Sequence, residues 1–442
     1  MKSGLRILQF ARLWIGTALA LVAVLASPVF AYSVFTHEEL IDLAWSSSIR
    51  PLLLARFPNS TDEQMREAHA YAYGGCAIQD MGYYPFAKEF FSNLTHYVRT
   101  GDFVSHLVND ATTLDEYAFA IGALSHYLGD SIGHSEAINL ATPIAFPKLE
   151  RKFGPVVAYD QDPHAHVRTE FAFDIGQLSK RTFAPPSYMR HIGFRVSRSL
   201  LDRAFHETYG FEFPELVGKT RPALRSYRAS VRTFISAFAG AEVVLHHRQF
   251  TPDTANEAYR LFARRLQQAD YERHWKTGYT GPGFGSHVLA IVVKIVPKVG
   301  LISVLAIKIP EPKTEDLYVA SVNQTLDAYV QVLESMRKAQ KGQEVDLALQ
   351  NLDLDTGKPV RPGTYRLTDE TYATLLNRLT SRPERPIPAE VRHDILDFYA
   401  DPDGPNSTKK NAAEWQRIQA ELVILKDMPI APRAAREPTH QR

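Results

Sequence analysis

Residues 113–140, TLDEYAFAIGALSHYLGDSIGHSEAINL, carry the longest apolar helical pattern in the N-terminal half, with His126, Asp130 and His134 inside it at a constant spacing of four. On a helix each such step turns by about 40° and climbs about 6 Å. The three groups therefore share one face, yet the two imidazoles stand too far apart to grip a single ion together. Asp130 lies midway, where each carboxylate oxygen could meet a different cation. That geometry suits a multi-ion site better than one isolated zinc. Gly129 and Gly133 flank the carboxylate despite a helix cost near ~1 kcal/mol each. They leave room for another group to approach closely.

The surrounding segments predict a mainly α protein. THEELIDLAW has Thr36 as a candidate N-cap, and TDEQMREAHAYAY (61–73) opens on Thr61 with acids following. PFAKEFFSNLTHYV (85–98) and QDPHAHVRTEFAFDI (161–175) each start a helix at a proline. Residues 190–280 continue mostly helical, and 314–342 reads as a strong amphipathic helix. DLDTGKPVRPGTYRL (353–367) has the Gly/Pro punctuation of turns and of a small hairpin. A short helix follows at 368–379, then the proline-rich connector SRPERPIPAE, and PTHQR closes a tail expected to be disordered. The run HVLAIVVKIVPKVGLISVLAIKI (287–309) is broken by Pro297 and Gly300 and punctuated by lysines. Two readings stay open for it: a buried helical hairpin, or a peripheral membrane contact with lysines reaching headgroups.

A formal charge of +1 over 442 residues gives no global reason to expect nucleic acid or an anionic surface as the main partner. The N-terminus is more specific. Lys2, Arg6 and Arg12 precede an apolar run at 14–26, and SPVFA ends at Ala31 with small residues at 29 and 31. This describes an export signal cleaved after Ala31, giving a secreted or periplasmic protein that begins at Tyr32. The run is shorter than the ~20 residues of a spanning helix, and an uncleaved anchor is the alternative. Cys76 is the only cysteine, so any metal ligands come from His, Asp, Glu and backbone atoms.

Half of the 16 histidines fall between residues 37 and 166. His166 and Glu170 form an HxxxE pair on one helix face, with His164 nearby as a substitute or outer group. His37 lies just inside the expected mature start. Asp80 stands in the glycine-rich YGGCAIQDMGYYP, and His96 follows 16 residues later. Each alone reads equally well as a solvated or satisfied core group, as His69 and His106 do.

Taken in order, these elements resemble the zinc-dependent phospholipases C, which share their fold with the single-strand-specific zinc nucleases. The resemblance covers roughly residues 31–175 and implies a multi-helix bundle with up to three zinc ions. It assigns Asp80, His96, His126 and a bridging Asp130 to one ion. His134, His166 and Glu170 go to a second. The amino group and carbonyl of Tyr32, His37 and again Asp130 go to a third. Two features depart from the family pattern: tyrosine replaces tryptophan at position 32, and the Asp130–His134 gap is shorter by two residues.

On this reading residues 1–31 are the signal, 32–185 the zinc-binding domain, 186–342 a helical extension, and 343–442 a mixed segment with a disordered tail. The implied activity is hydrolysis of phospholipid headgroup phosphodiesters by a metal-activated water, with Asp80 as the catalytic carboxylate. Tyr83, Tyr84 and Phe86 beside it could face lipid or simply pack. A nuclease or nucleotidase using the same ions is the alternative, with LRSYRASVRTF (224–234) following a phosphate backbone or forming a solvated helix face. So is a non-catalytic metal-binding envelope protein. Substrate headgroup and oligomeric state are not legible.

Overall fold

The computed structural model describes residues 34–184, 186–246, 256–269, 307–339 and 349–432. The expected export signal, Tyr32, all but the end of the apolar run 287–309, and the last ten residues lie outside them.

The described chain is mainly α, as expected, with one small two-stranded sheet. Its organising element is the helix Leu114–Gly133, in which Tyr117, Phe119, Ile121 and Leu124 are fully buried. Its start is capped by Thr113, whose hydroxyl accepts from the Glu116 amide at 3.2 Å. The helix Asp62–Gly75 packs along it, opened by the reciprocal Thr61–Gln64 box, with Thr61 Oγ1 and Gln64 Oε1 each accepting a backbone N–H. On another side lies Pro312–Lys338, whose Tyr329 donates a hydrogen bond to the Ile121 carbonyl at 2.9 Å. The helix Pro163–Lys180 begins at its proline, with Asp162 capping the Ala165 amide at 2.9 Å.

Several boundaries differ from the sequence reading for identifiable reasons. Thr36 is not an N-cap: the first described helix runs Val34–Ala44. The Thr36 hydroxyl instead bonds Asp174 Oδ1 at 2.5 Å and the Tyr318 hydroxyl at 2.6 Å. The helix expected from Pro85 begins at Glu89, because Phe86 adopts φ 70° and cannot continue an α-helical turn. The pattern at 113–140 is interrupted by a π-turn at His134–Ile138 before a helix resumes at Asn139–Ala145. Such wide turns recur at functional sites.

The C-terminal segment is more helical than expected. Beside the hairpin of strands Leu352–Asp353 and Lys358–Pro359, it holds helices Arg366–Thr380, Ala389–Phe398 and Ala412–Asp427. Among the described residues no helix is long and apolar enough to cross a membrane.

Candidate metal centre

Eight side chains from separate parts of the fold converge at the lower half of the central helix. The N-terminal helix supplies His37, the 3-10 turn Ile78–Tyr83 supplies Asp80, and the helix Glu89–Tyr97 supplies His96. His126 and Asp130 stand on the central helix, His134 opens the π-turn, and His166 and Glu170 stand one turn apart on Pro163–Lys180. All eight are buried. Gly129 lets the first of these in: a Cβ there would lie 3.2 Å from two atoms of the His37 ring.

Asp130 is the hub. Its Oδ2 lies 3.0 Å from His126 Nε2 and 3.3 Å from His96 Nε2. Its Oδ1 faces the other way, 3.2 Å from His37 Nε2 and 4.0 Å from His134 Nε2. Asp80 Oδ1 closes one side at 3.4 Å from His96 Nε2 and 4.0 Å from His126 Nε2. Glu170 Oε1 closes the other, 2.9 Å from His166 Nε2 and 3.4 Å from His134 Nε2. Zinc bonds of 2.0–2.1 Å in a tetrahedron would set ligand atoms about 3.3 Å apart, close to most of these separations. Three groups arise: His37–His126–Asp130, Asp80–His96–His126 and His134–His166–Glu170.

Hydrogen bonding separates this cluster from an ordinary ion-pair network. Among the described residues Asp80 Oδ1, both Asp130 oxygens, both ring nitrogens of His166 and both Glu170 oxygens are buried without an aligned hydrogen bond. A buried, unbonded polar atom costs about 1–3 kcal/mol, more when charged. So many at one place call for a shared partner. The ring orientations agree. His126 Nδ1 lies 2.9 Å from the Cys76 carbonyl and His96 Nδ1 lies 2.7 Å from the Ser92 carbonyl. In the neutral rings those contacts place the hydrogens on Nδ1, so both Nε2 lone pairs point inward. Their 3.4 Å separation is then a spacing between two acceptors, which only a cation or a proton can reconcile. The donor set, imidazole plus carboxylate without thiolate, fits zinc.

The local field favours positive charge. Burial depresses the His96 pKa, but the adjacent Asp130 and Asp80 carboxylates outweigh it and push it up to about 10. His134 is likewise raised: burial opposes, while Asp130, Asp355 and Glu170 prevail. Burial would raise the Asp130 carboxyl, yet His126 and His134 hold it well below the usual range. His37 is lowered, first by burial and then by its neighbour His126, on which it stacks with ring centroids 4.3 Å apart.

His164 joins none of the three groups. His69 pairs with Asp42 Oδ1 at 2.9 Å and stacks on Trp45, a core role. His106 meets Glu207 at 3.0 Å, and with Asp110 forms a separate, half-buried group. Of the aromatics beside Asp80, Tyr83 and Tyr84 are buried, whereas Phe86 is 73% exposed. In the basic run at 224–234, Tyr227 is turned fully into the core, donating to the Gly74 carbonyl.

The sequence reading missed the residues that roof the centre. Asp355, in the hairpin, lies 3.6 Å from His134 Nδ1 and accepts from the Tyr97 and Tyr365 hydroxyls. Tyr159 stands edge-on to His166 with centroids 5.5 Å apart. The only available signal was the turn-forming DLDTGK (353–358), which carries no ligand spacing.

No curated protein and no solved structure matches the chain. The model of the zinc-dependent phospholipase C family matches residues 36–211, the segment that contains all eight converging side chains.

Proposed function

We propose that the protein is an exported zinc-dependent phosphodiesterase of the phospholipase C type, acting on phospholipid headgroup phosphodiesters. The observation that carries this reading is the Asp130 carboxylate, whose two oxygens face different imidazole sets at 3.0 Å and 3.2 Å. Asp80, His96, His126 and Asp130 would hold one zinc, and His134, His166 and Glu170 a second. His37 and Asp130, with the amino group and carbonyl of Tyr32, would hold a third. Zinc bound there would supply Lewis acidity toward a phosphoryl oxygen and a water acidified to a pKa near ~7.

The chain's own residues do the rest. Asp80 would hold zinc through Oδ1, the oxygen nearest His96, and its Oδ2 would orient a water and accept its proton. Tyr83 and Tyr159 wall the centre beside His96 and His166 and keep bulk water out. Burial, reinforced by nearby carboxylates, raises both phenol pKa values, so the hydroxyls stay protonated; that of Tyr83 donates to Asn93 Oδ1 at 3.4 Å. Exposed Phe86, in the loop just beyond Asp80, supports contact with a lipid surface.

Vesicles of phosphatidylcholine and phosphatidylethanolamine, compared with single-stranded DNA in matched zinc buffer, test the reading. The expected products are a soluble phosphorylated headgroup and diacylglycerol from the vesicles. Hydrolysis of DNA alone would replace the lipase assignment with the nuclease one. Zinc uptake without hydrolysis of either would favour a binding protein. An extra residue retained ahead of Tyr32 should lower activity, and full activity in such a protein would remove the amine from the ligand set.

A further inference from the structure

The hairpin Leu352–Pro359 lies outside the family-matched segment 36–211, yet it is docked on the metal centre by main-chain contacts. The Leu354 amide donates to the His96 carbonyl at 3.0 Å, so the hairpin is tied directly to a candidate ligand. Thr100 Oγ1 bonds both the carbonyl and the amide of Leu352, at 2.7 and 2.9 Å. Asn139 Nδ2 donates to the Asp355 carbonyl at 2.7 Å. At the turn, Gly357 has φ 66°, and a Cβ there would fall 2.3 Å from the Ser131 carbonyl oxygen of the central helix. Only glycine fits there, which fixes the hairpin against the helix that carries Asp130.

This docking delivers two acceptors to one ring nitrogen. The Leu354 carbonyl lies 3.2 Å from His134 Nδ1, and Asp355 Oδ1 lies 3.6 Å from the same atom. The other oxygen of Asp355 is held by two phenols, Tyr365 at 2.6 Å and Tyr97 at 2.9 Å. The two phenols hold the carboxylate beside Nδ1 at ion-pair distance, while the Leu354 carbonyl takes the shorter contact to the same nitrogen. An imidazole that holds a cation through Nε2 needs its Nδ1–H directed at such an acceptor, which fixes the tautomer and ring angle and increases ligand basicity. For His96 and His126 neighbouring carbonyls serve, at Ser92 and Cys76. For His134 the partner comes from residues 354 and 355.

We infer that Asp355 is a positioning residue for His134, supplied by the C-terminal hairpin and required for the His134–His166–Glu170 ion. The C-terminal segment is on this account part of the metal-binding unit and not an appendage to it. The inference rests on the proposed reading of that group as a zinc site.

Zinc affinity of the full-length protein tests it, measured by competition with a chromophoric chelator together with the visible spectrum after cobalt substitution. Wild type, Asp355→Asn, Tyr365→Phe, His134→Ala and the double variant His134→Ala/Asp355→Asn are compared. Loss of such an outer partner typically weakens metal binding by ~10–100-fold. Asp355→Asn should lower the affinity for one zinc within that range, shift the cobalt bands and leave the remaining zinc in place. In the His134→Ala background Asp355→Asn should change zinc affinity no further, because it acts through that ring. Tyr365→Phe, a milder change, should move affinity in the same direction and covers the case in which Asp355→Asn fails to fold. Unchanged zinc affinity and cobalt spectra in Asp355→Asn and Tyr365→Phe would overturn the inference, as would equal losses with and without His134. A wild type that binds no zinc would instead remove the underlying site assignment.

Discussion

His37 Nε2 stands 3.2 Å from Asp130 Oδ1, while the opposite oxygen, Oδ2, stands 3.0 Å from His126 Nε2. One carboxylate thus joins the N-terminal helix to the central helix, with a different imidazole at each oxygen. The contact depends on the absence of a side chain at residue 129, where an added Cβ would press on the His37 ring at 3.2 Å.

Gly129→Ala should therefore separate stability from metal binding. Removing a mid-helix glycine is worth up to about 1 kcal/mol, so the chelator-treated protein should resist denaturant slightly better. The crowded His37 ring should lose its alignment with Asp130, and zinc titration should show one weakened site. Unaltered zinc binding would show that the glycine is not needed for the approach of His37.

The start of the His37 helix is tied to the helix of His166 and Glu170. Asp174 accepts from the Phe35 amide at 3.0 Å and from the Thr36 hydroxyl at 2.5 Å. Asp174→Ala leaves the buried amide without this acceptor, and the expected loss is about 1–3 kcal/mol in denaturant unfolding. The same variant should bind less zinc at the His37 site. A change below ~0.5 kcal/mol, the scale of a surface substitution, would mean that the Asp174 contact does not anchor the helix.

A pH effect is expected at Asp394. Burial raises the Asp394 pKa from 3.8 to about 6, and Asp102 and Asp397 add to it; Arg99 and the Tyr372 hydroxyl at 2.9 Å oppose it. The folded state holds this proton more tightly than the unfolded chain. Stability from this group should therefore fall as pH rises from about 4 to about 6, and the deficit is complete above the folded pKa. A shift of roughly two pH units corresponds to about 3 kcal/mol at most. Asp394→Asn should flatten the stability curve in that window and raise stability at pH ~7. An unchanged curve would place the carboxylate in a more polar setting than its burial implies.

Part of the converging cluster was legible because helices repeat. Spacings of four at 126–130–134 and 166–170 mark shared faces whatever the tertiary fold, whereas His37, Asp80 and His96 joined the set only through the family resemblance. Asp355 was not legible. It reaches His134 across 221 residues of sequence through a hairpin held largely by its own main-chain amides and carbonyls, and those groups leave no side-chain pattern. Tyr97 and Tyr365 are buried, and only the positions of their hydroxyls tie them to Asp355. Phe86 was misplaced in a helix because nothing in its side chain announces a left-handed backbone.

The bridging role of Asp130 is tested most directly by counting zinc per chain in the purified protein and in the Asp130→Ala and Glu170→Gln variants, by elemental mass spectrometry. Wild type should carry more than one zinc, Glu170→Gln should lose one, and Asp130→Ala should lose more than Glu170→Gln does. A wild type without zinc, or an Asp130→Ala protein that keeps the full complement, would contradict the account.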